Sequence, residues 1–457
     1  MKRKFIKLIG LSVLHTLALT LIMISLSGCK KYLEAKPDQS IATPSTIDDL
    51  EGILNNYAFI NARYSSAAEV SADNYYLKAT DWTSLIDVQR NLYNWQKYDL
   101  IGGDYTSPYS AIEYANIVLD AIPKIQSSDV NRLNAIKGNA LFLRASYHYS
   151  LAQLFCKVYQ SASASTDLGI ALRLNSDVAI KPVRSSIAAT YTSIIADLKS
   201  ALDFLPAQPN IKYHASKCAV FGQLARTYLS MGDYTNASLY ADSALSLYNK
   251  LIDFNTVSKT TTIPFAQFND EVIYDARSAA PQALANSRAK IDTLLYKSYE
   301  GNDLRKSVFF KANADGSYAF KGNYTGQNNA AIFTGIATDE LYFIKAECDA
   351  RLGKINDALS ALNTILNARW KKGTYVSIAT TDKIALLTLI LNERRKELIF
   401  RNLRWTDLRR LNLEDAFSKT LNRNLNGSVY ILKPGSERYV IELDRSAVDL
   451  SGLIQNP

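Results

Sequence analysis

From residue 105 onward, apolar residues recur at the 3.6-residue period of a helix, and small residues fall where two such helices would have to touch. Ala225, Tyr228, Gly232, Tyr234, Ala237, Ala241 and Ala244 follow one set of offsets. Ala346, Gly353, Ile355, Ala358, Leu362 and Ile365 follow it again. Alanine lets two helix axes approach, glycine supplies the turn between them, and each pair leaves an apolar face that needs a neighbour. A mainly α scaffold of stacked helix pairs is therefore expected.

The offsets are those of tetratricopeptide-like pairs. A third unit is split: its first helix lies at 139–155 and its second at 187–205, closing on Pro206, while 109–123 reads as a further second helix. The repeat units then occupy about 109–250 and 338–415 of a body running from 45 to 457. Between them, about 252–335 is rich in Thr, Asn, Gly and Tyr and nearly aperiodic. It reads as an irregular, loop-rich insertion, with short strands expected around 271–275 and 317–321. A first helix is expected to open at Ser45 or Thr46, with Asp48 and Asp49 in its first turn, and to run toward Ile60.

The N-terminus carries Lys2, Arg3, Lys4 and Lys7, then an apolar run from Leu8 to Leu26, then Leu26-Ser27-Gly28-Cys29. A basic start, an apolar stretch and small residues before a cleavage point form an export signal. The quartet matches a bacterial lipobox, in which the Cys29 thiol is acylated after residues 1–28 are removed. Residues 29–44 read as a polar tether. Several acyl chains hold a protein to a membrane stably, at about 0.8 kcal/mol per buried methylene, so the mature chain is expected to be attached to the membrane and not embedded in it.

Four of the positive charges leave with the signal, which lowers the net charge from +9 to +5. No stripe of Lys and Arg interleaved with aromatics appears, and nucleic acid is not an expected partner. Cys156, Cys218 and Cys348 remain, an odd number in apolar helical contexts. Buried thiols are the expected state, with one disulfide and a leftover cysteine as the other possibility. Only His148 and His214 survive in the mature chain, and no His-Glu-x-x-His, Cys-x-x-Cys, Walker loop or Gly-x-Ser-x-Gly elbow occurs. Ser287-Arg288-Ala289-Lys290 lacks the companion motifs of acyl-serine enzymes. No catalytic residue, metal site or cofactor is expected, although a pair of carboxylates needs no local motif.

Five stretches resemble the SusD/RagB-type nutrient-uptake outer-membrane lipoproteins of Bacteroidetes. They are Cys29-Lys30-Lys31-Tyr32-Leu33 with Lys36-Pro37; Phe142-Leu143-Arg144-Ala145 with Leu154-Phe155; Gly169-Ile170-Ala171-Leu172 through Arg184-Ser185-Ser186 to Leu205-Pro206; Gly232-Asp233-Tyr234; and Glu393-Arg394-Arg395-Lys396-Glu397-Leu398 leading to Arg404-Trp405-Thr406-Asp407-Leu408-Arg409-Arg410. One departure stands out. After Leu154-Phe155 the family often has Gly-Asp-Val-Pro, and this chain has Cys156-Lys157-Val158-Tyr159. The resemblance implies a SusD-like fold, exposure at the cell surface, and work beside a SusC-like TonB-dependent transporter, with an oligosaccharide or a peptide as ligand.

In the terminal block, Glu393, Arg394, Asp407 and Arg409 are expected to pair across neighbouring helices, with Trp405 packed between them and Arg404 alongside. For ligand, the dense aromatic and polar region from 57 to 114 is the candidate. Tyr75, Tyr76, Trp82 and Trp95 offer flat apolar faces to sugar C–H groups, and Asp73 and Asn74 offer bonds to hydroxyls. Tyr296 and Tyr299, in the insertion, are the second candidates. The other reading is a docking scaffold whose repeats bind the transporter and no soluble ligand. Cys29→Ala is expected to abolish incorporation of labelled palmitate and to move the protein from the membrane fraction to the soluble one.

Overall fold

Thr46 caps the first helix, α1 (Ile47–Leu54): its hydroxyl accepts from the Asp49 N–H, and the Asp49 carboxylate accepts from the Thr46 N–H. The helix stops at Leu54 instead of running to Ile60. Asn55 and Asn56 break it before a short turn of helix at Tyr57–Ile60. The structure, a computed structural model, describes residues 43–97 and 102–456. The signal, Cys29 and nearly all of the tether lie outside the described residues.

About 48% of the described residues are helical, and the strands among them are few and short. The helices of eight or more residues after α1 are α2 (Asp87–Asn94), α3 (Gly103–Ala121), α4 (Val130–Phe155), α5 (Ile187–Ala201), α6 (Lys217–Met231), α7 (Tyr234–Leu247), α8 (Thr338–Arg351), α9 (Ile355–Arg369), α10 (Lys383–Glu397) and α11 (Arg404–Leu411). No helix among the described residues is long and apolar enough to cross a membrane.

The helices stack as their small residues require. α3 packs on α4, α4 on α5, α6 on α7, α7 on α8, and α8 on both α9 and α10. Ala225 of α6, Ala237, Ala241 and Ala244 of α7, and Ala346, Ala350 and Ala358 of α8 and α9 are fully buried at these seams. The α6–α7 turn is closed by Gly232 at φ +75°, and Asp233 caps α7 through the Asn236 N–H. Glycine reaches that left-handed conformation without steric penalty. α7 and α8 touch directly although 90 residues separate them, so the stack is continuous in space and interrupted in sequence. Cys156, Cys218 and Cys348 are free and buried.

Among the described residues, ten strands pair into five two-stranded antiparallel ribbons. They are β1 (Tyr75–Tyr76), β2 (Leu168–Ala171), β3 (Arg184–Ser186), β4 (Val272–Tyr274), β5 (Lys290–Ile291), β6 (Phe310–Ala312), β7 (Tyr318–Phe320), β8 (Ile336–Ala337), β9 (Leu421–Leu425) and β10 (Ser428–Leu432). β4 and β7 fall where the sequence placed short strands. The segment between α7 and α8 contributes Phe254, Phe265, Phe309 and Tyr324 to a buried aromatic cluster, so it carries core of its own.

Ionic bonds tie this segment to the helices. Arg369, at the end of α9, donates to Glu271 beside β4 and to Glu397 of α10, both at 2.7 Å. Arg305 joins Asp303, Glu393 and Glu397. Arg401 bonds Asp339 at 2.8 Å and Arg226 bonds Glu340 at 2.6 Å. All these groups are buried, and a buried ion left alone is costly. Arg369→Met is therefore expected to lower unfolding free energy by about 3–5 kcal/mol, read by urea denaturation, because Glu271 and Glu397 lose their shared cation.

Candidate functional site

β1 shows how the strand period sorts the aromatic candidates. Successive side chains point to opposite sides, so Tyr75 goes in and Tyr76 goes out, with 38% of its surface exposed. β1 pairs with β5, which sets Tyr76 opposite Lys290. From β5 the chain enters a short helix, Thr293–Lys297, capped by Asp292. It carries Tyr296, whose ring stacks on Tyr318 of β7 with centroids 3.5 Å apart and planes 16° from parallel. The Lys306 ammonium lies 5.1 Å from the centre of the Tyr296 ring. Nearby, Lys78 pairs with Asp315 in the β6–β7 turn at 2.6 Å. The bridge ties the segment after Tyr76 to the ribbon that carries Tyr318, and β5 packs against β7 between them.

Trp82 is half-buried; its Nε1–H donates to the Arg90 carbonyl at 3.2 Å, and its ring lies 6.3 Å from Tyr430. Four other candidates of this region, and Tyr299, whose hydroxyl donates to the Lys396 carbonyl, are turned inward, contrary to the expectation from sequence. Trp95 is 6% exposed, donates Nε1–H to the Ser71 carbonyl, and lies against the Arg423 guanidinium. The Tyr75 hydroxyl donates to the Val70 carbonyl. Asn74 donates to Glu69 and accepts from Arg395. Asp73 is held by Arg404, Arg395 and Lys419. Burial alone would raise its pKa, and those cations keep it well below the usual carboxylate range. Each polar atom that could have met a ligand already has a partner. Tyr98, part of the same aromatic run, lies outside the described residues. Tyr318, Tyr430 and the Lys78–Asp315 pair were not foreseen; the alternation Ser317-Tyr318-Ala319-Phe320 was the available signal for Tyr318.

The terminal block is internal. Arg394 bonds Asp407 at 2.9 Å, and Asp407 also accepts from Arg410, which reaches Glu347. Trp405 packs on Tyr439 with centroids 4.8 Å apart. Glu393 turns to Arg305 and Lys396. Arg409, expected to take part in ion pairs, instead donates to the Gln153 and Cys156 carbonyls at the end of α4. A cation at a helix C-terminus satisfies carbonyls that lack intrahelical partners.

Two clefts open elsewhere. One, of about 580 Å³, lies between the start of α3 and the C-terminal segment and is lined by Tyr105, Tyr109, Tyr114, Glu113 and Arg173. The other, of about 430 Å³, lies between α11, the loop after α4 and the C-terminal residues. Glu271, Asp339 and Glu397 bring carboxylate oxygens within 4.8 Å of one another. Arg369, Arg401 and the Tyr324 hydroxyl already satisfy them, so the group is an ion-pair cluster and not a cation cage.

Residues 31–229 match the family model described as starch-binding and associating with the outer membrane, and residues 282–446 match the SusD family model. Two SusD-like proteins of Formosa agariphila, P2 and P38, are 21% and 24% identical to the chain; the alignments cover 87% and 86% of this chain and 91% and 90% of theirs. A SusD superfamily protein from Bacteroides vulgatus superposes with a TM-score of 0.76 at 21% identity, covering 90% of this chain and 99% of its own. A putative sugar binding protein from the same species gives 0.74 at 21% identity, over 90% and 98%.

His148 is fully buried, with Nε2 accepting from the Arg173 N–H. Burial, aided by the Arg144 guanidinium, pushes its pKa down to about 3. The unfolded chain takes up this proton below about pH 6.5 while the folded chain does not, so stability falls as pH drops through that window. At pH 5 the loss from this residue is expected to be about 2 kcal/mol. Denaturation curves at pH 7 and pH 5 for the wild type and His148→Gln check it, with the smaller difference expected in the variant.

Proposed function

Because the chain belongs to the SusD/RagB family, we propose that it is a lipid-anchored protein of the outer membrane that binds oligosaccharide on the Tyr76–Tyr296–Tyr318 face and passes it to a TonB-dependent transporter. The observation that carries this reading is the stacked Tyr296–Tyr318 pair beside exposed Tyr76 and the Lys78–Asp315 ion pair. Ring faces present apolar surface to sugar C–H groups, and the charged edge presents bonds to hydroxyls. The starch-binding family matched by residues 31–229 and the putative sugar binding protein among the structural neighbours support the ligand class. The Leu-Ser-Gly-Cys29 quartet supports the lipid anchor.

Delivery to a membrane partner needs a surface that the partner covers. The exposed apolar side chains Val178, Ile180 and Leu450 around the larger cleft support one there. On this reading the chain acts by binding, in keeping with the SusD family models that it matches.

Calorimetry of the mature chain against a broad panel of neutral oligosaccharides and peptides tests the reading. At least one oligosaccharide is expected to bind, with Tyr296→Ala weakening it about tenfold or more, equivalent to about 1.4 kcal/mol. Binding of peptides alone, an unaltered affinity in Tyr296→Ala, or release of shortened glycan products would each sink the proposal.

A further inference from the structure

The fold brings Arg63 and Arg277 side by side, and neither has an acidic partner. Tyr64 and Ser278 meet in a parallel bridge, and the Arg277 N–H donates to the Asn61 carbonyl at 2.8 Å. Tyr64 turns inward and stacks on Tyr147, and Ser278 is buried. Side chains alternate along extended backbone. Arg63 and Arg277, one residue before each, therefore leave on the opposite side as neighbours.

Each guanidinium lies over a ring, Arg63 at 4.3 Å from the centroid of Phe59 and Arg277 at 4.7 Å from that of Tyr57. No hydrogen bond or ion pair engages either side chain among the described residues. Both residues are half-buried. Of their side-chain nitrogens only Arg63 Nε is sealed from solvent, so the terminal nitrogens of both stay accessible. Asp275, which feels the Arg277 charge, already accepts from the Tyr57 hydroxyl and from Gln267. Glu51, on the neighbouring α1, is held by Arg132. The contrast is with Arg226, Arg305, Arg369 and Arg401, each of which is bonded to a carboxylate.

A ring beneath a guanidinium covers one of its faces and leaves the in-plane N–H donors outward, the geometry that suits an oxyanion. Like charges on paired segments repel, and an anionic ligand would remove that repulsion. The rings extend beyond the two cations. Tyr57 lies 5.7 Å from Tyr213, and Tyr213 lies 6.2 Å from Phe268. Phe268 is 36% exposed at φ +59°. A bulky side chain reaches that left-handed conformation only at a cost, and here the cost holds an apolar ring in solvent. Phe59 is exposed as well. Ring faces suit the C–H surface of a pyranose, and the guanidiniums suit acid groups carried on it.

We propose that this surface is a second binding site, one that takes an acidic oligosaccharide whose carboxylate or sulfate groups accept from Arg63 and Arg277 while its sugar rings lie on Tyr213 and Phe268. It shares no residue with the Tyr76–Tyr296–Tyr318 face or with the lining of either cleft.

The test uses the full mature chain, titrated by calorimetry with four probes: an oligogalacturonate, a sulfated carrageenan oligosaccharide, a neutral oligosaccharide that the wild type binds, and an oligoglutamate peptide. At least one of the two acidic saccharides is expected to bind, and which of them does so names the acid group. Arg277→Gln and Arg63→Gln are each expected to weaken it about tenfold, and added salt to weaken it further. Neither variant gives up a hydrogen bond or an ion pair within the fold, so both are expected to keep the melting temperature of the wild type. The proposal is overturned if neither acidic saccharide binds, if both variants retain wild-type affinity, or if the oligoglutamate binds as tightly as the saccharide. Its fate is separable from that of the aromatic face. Neutral binding that falls in Tyr296→Ala, with acidic binding that falls in Arg277→Gln, upholds both. Acidic affinity that follows Tyr296 and ignores the two arginines overturns this site alone.

Discussion

The two-way bond of Arg369 to Glu271 and Glu397 is the constraint on which the rest of the molecule depends. It joins the end of α9, the edge of β4 and the last turn of α10, three segments with no local reason to meet. Glu397 is shared with Arg305, which in turn gathers Asp303 and Glu393. The guanidinium makes this possible: it is planar, permanently charged, and presents donors on several edges at once. A lysine at 369 could offer charge to both carboxylates but not two fixed, in-plane bonds. In a buried setting such a lattice specifies one arrangement sharply, since any slip strands an ion.

A second lattice, of the same kind, fastens residues 69–95 to the far end of the chain. Asp73 gathers Arg395, Arg404 and Lys419, and Glu69 accepts from the Asn402 backbone. Arg423 lies against the rings of Tyr93 and Trp95 and donates to the Tyr93 and Ala72 carbonyls. The aromatic face rests on this attachment. Tyr76 is presented outward because Asp73, Asn74 and Tyr75 immediately before it are anchored inward.

Much of the scaffold was legible in the sequence because helices advertise themselves locally. The Ala225–Ala244 pattern, the Gly232 turn and the caps at Thr46, Ser186 and Asp233 are decided by neighbours within four residues. The site was less legible, for a physical reason. Asp73 looks like an exposed polar residue until one knows that Arg404 meets it from 331 positions away. Tyr75 and Tyr76 are indistinguishable by type, and only the pairing of β1 with β5 decides which faces solvent. Trp95 and Arg409 were misplaced on the same grounds: the carbonyls that receive their donors belong to remote backbone. Residue type indicates what a side chain can do, and tertiary partners decide whether it is free to do it.

The direct seat of α7 on α8 has a consequence for how the chain reaches this state. An ordinary helical solenoid can grow from one end, each repeat docking on the last as it forms. Here the outer face of α7 must wait for a partner that begins at Thr338. Closing so long a loop costs little more than closing a short one at equilibrium, about 0.6 kcal/mol for each doubling of its length. Its effect is on rate, because contacts so distant in sequence must be made before the energy they return is available. Until then the alanine seam of α7 and the carboxylates of the Arg369 lattice stand without their mates. The N-terminal repeats alone are thus an incomplete body, with an apolar face that only the second half of the chain covers.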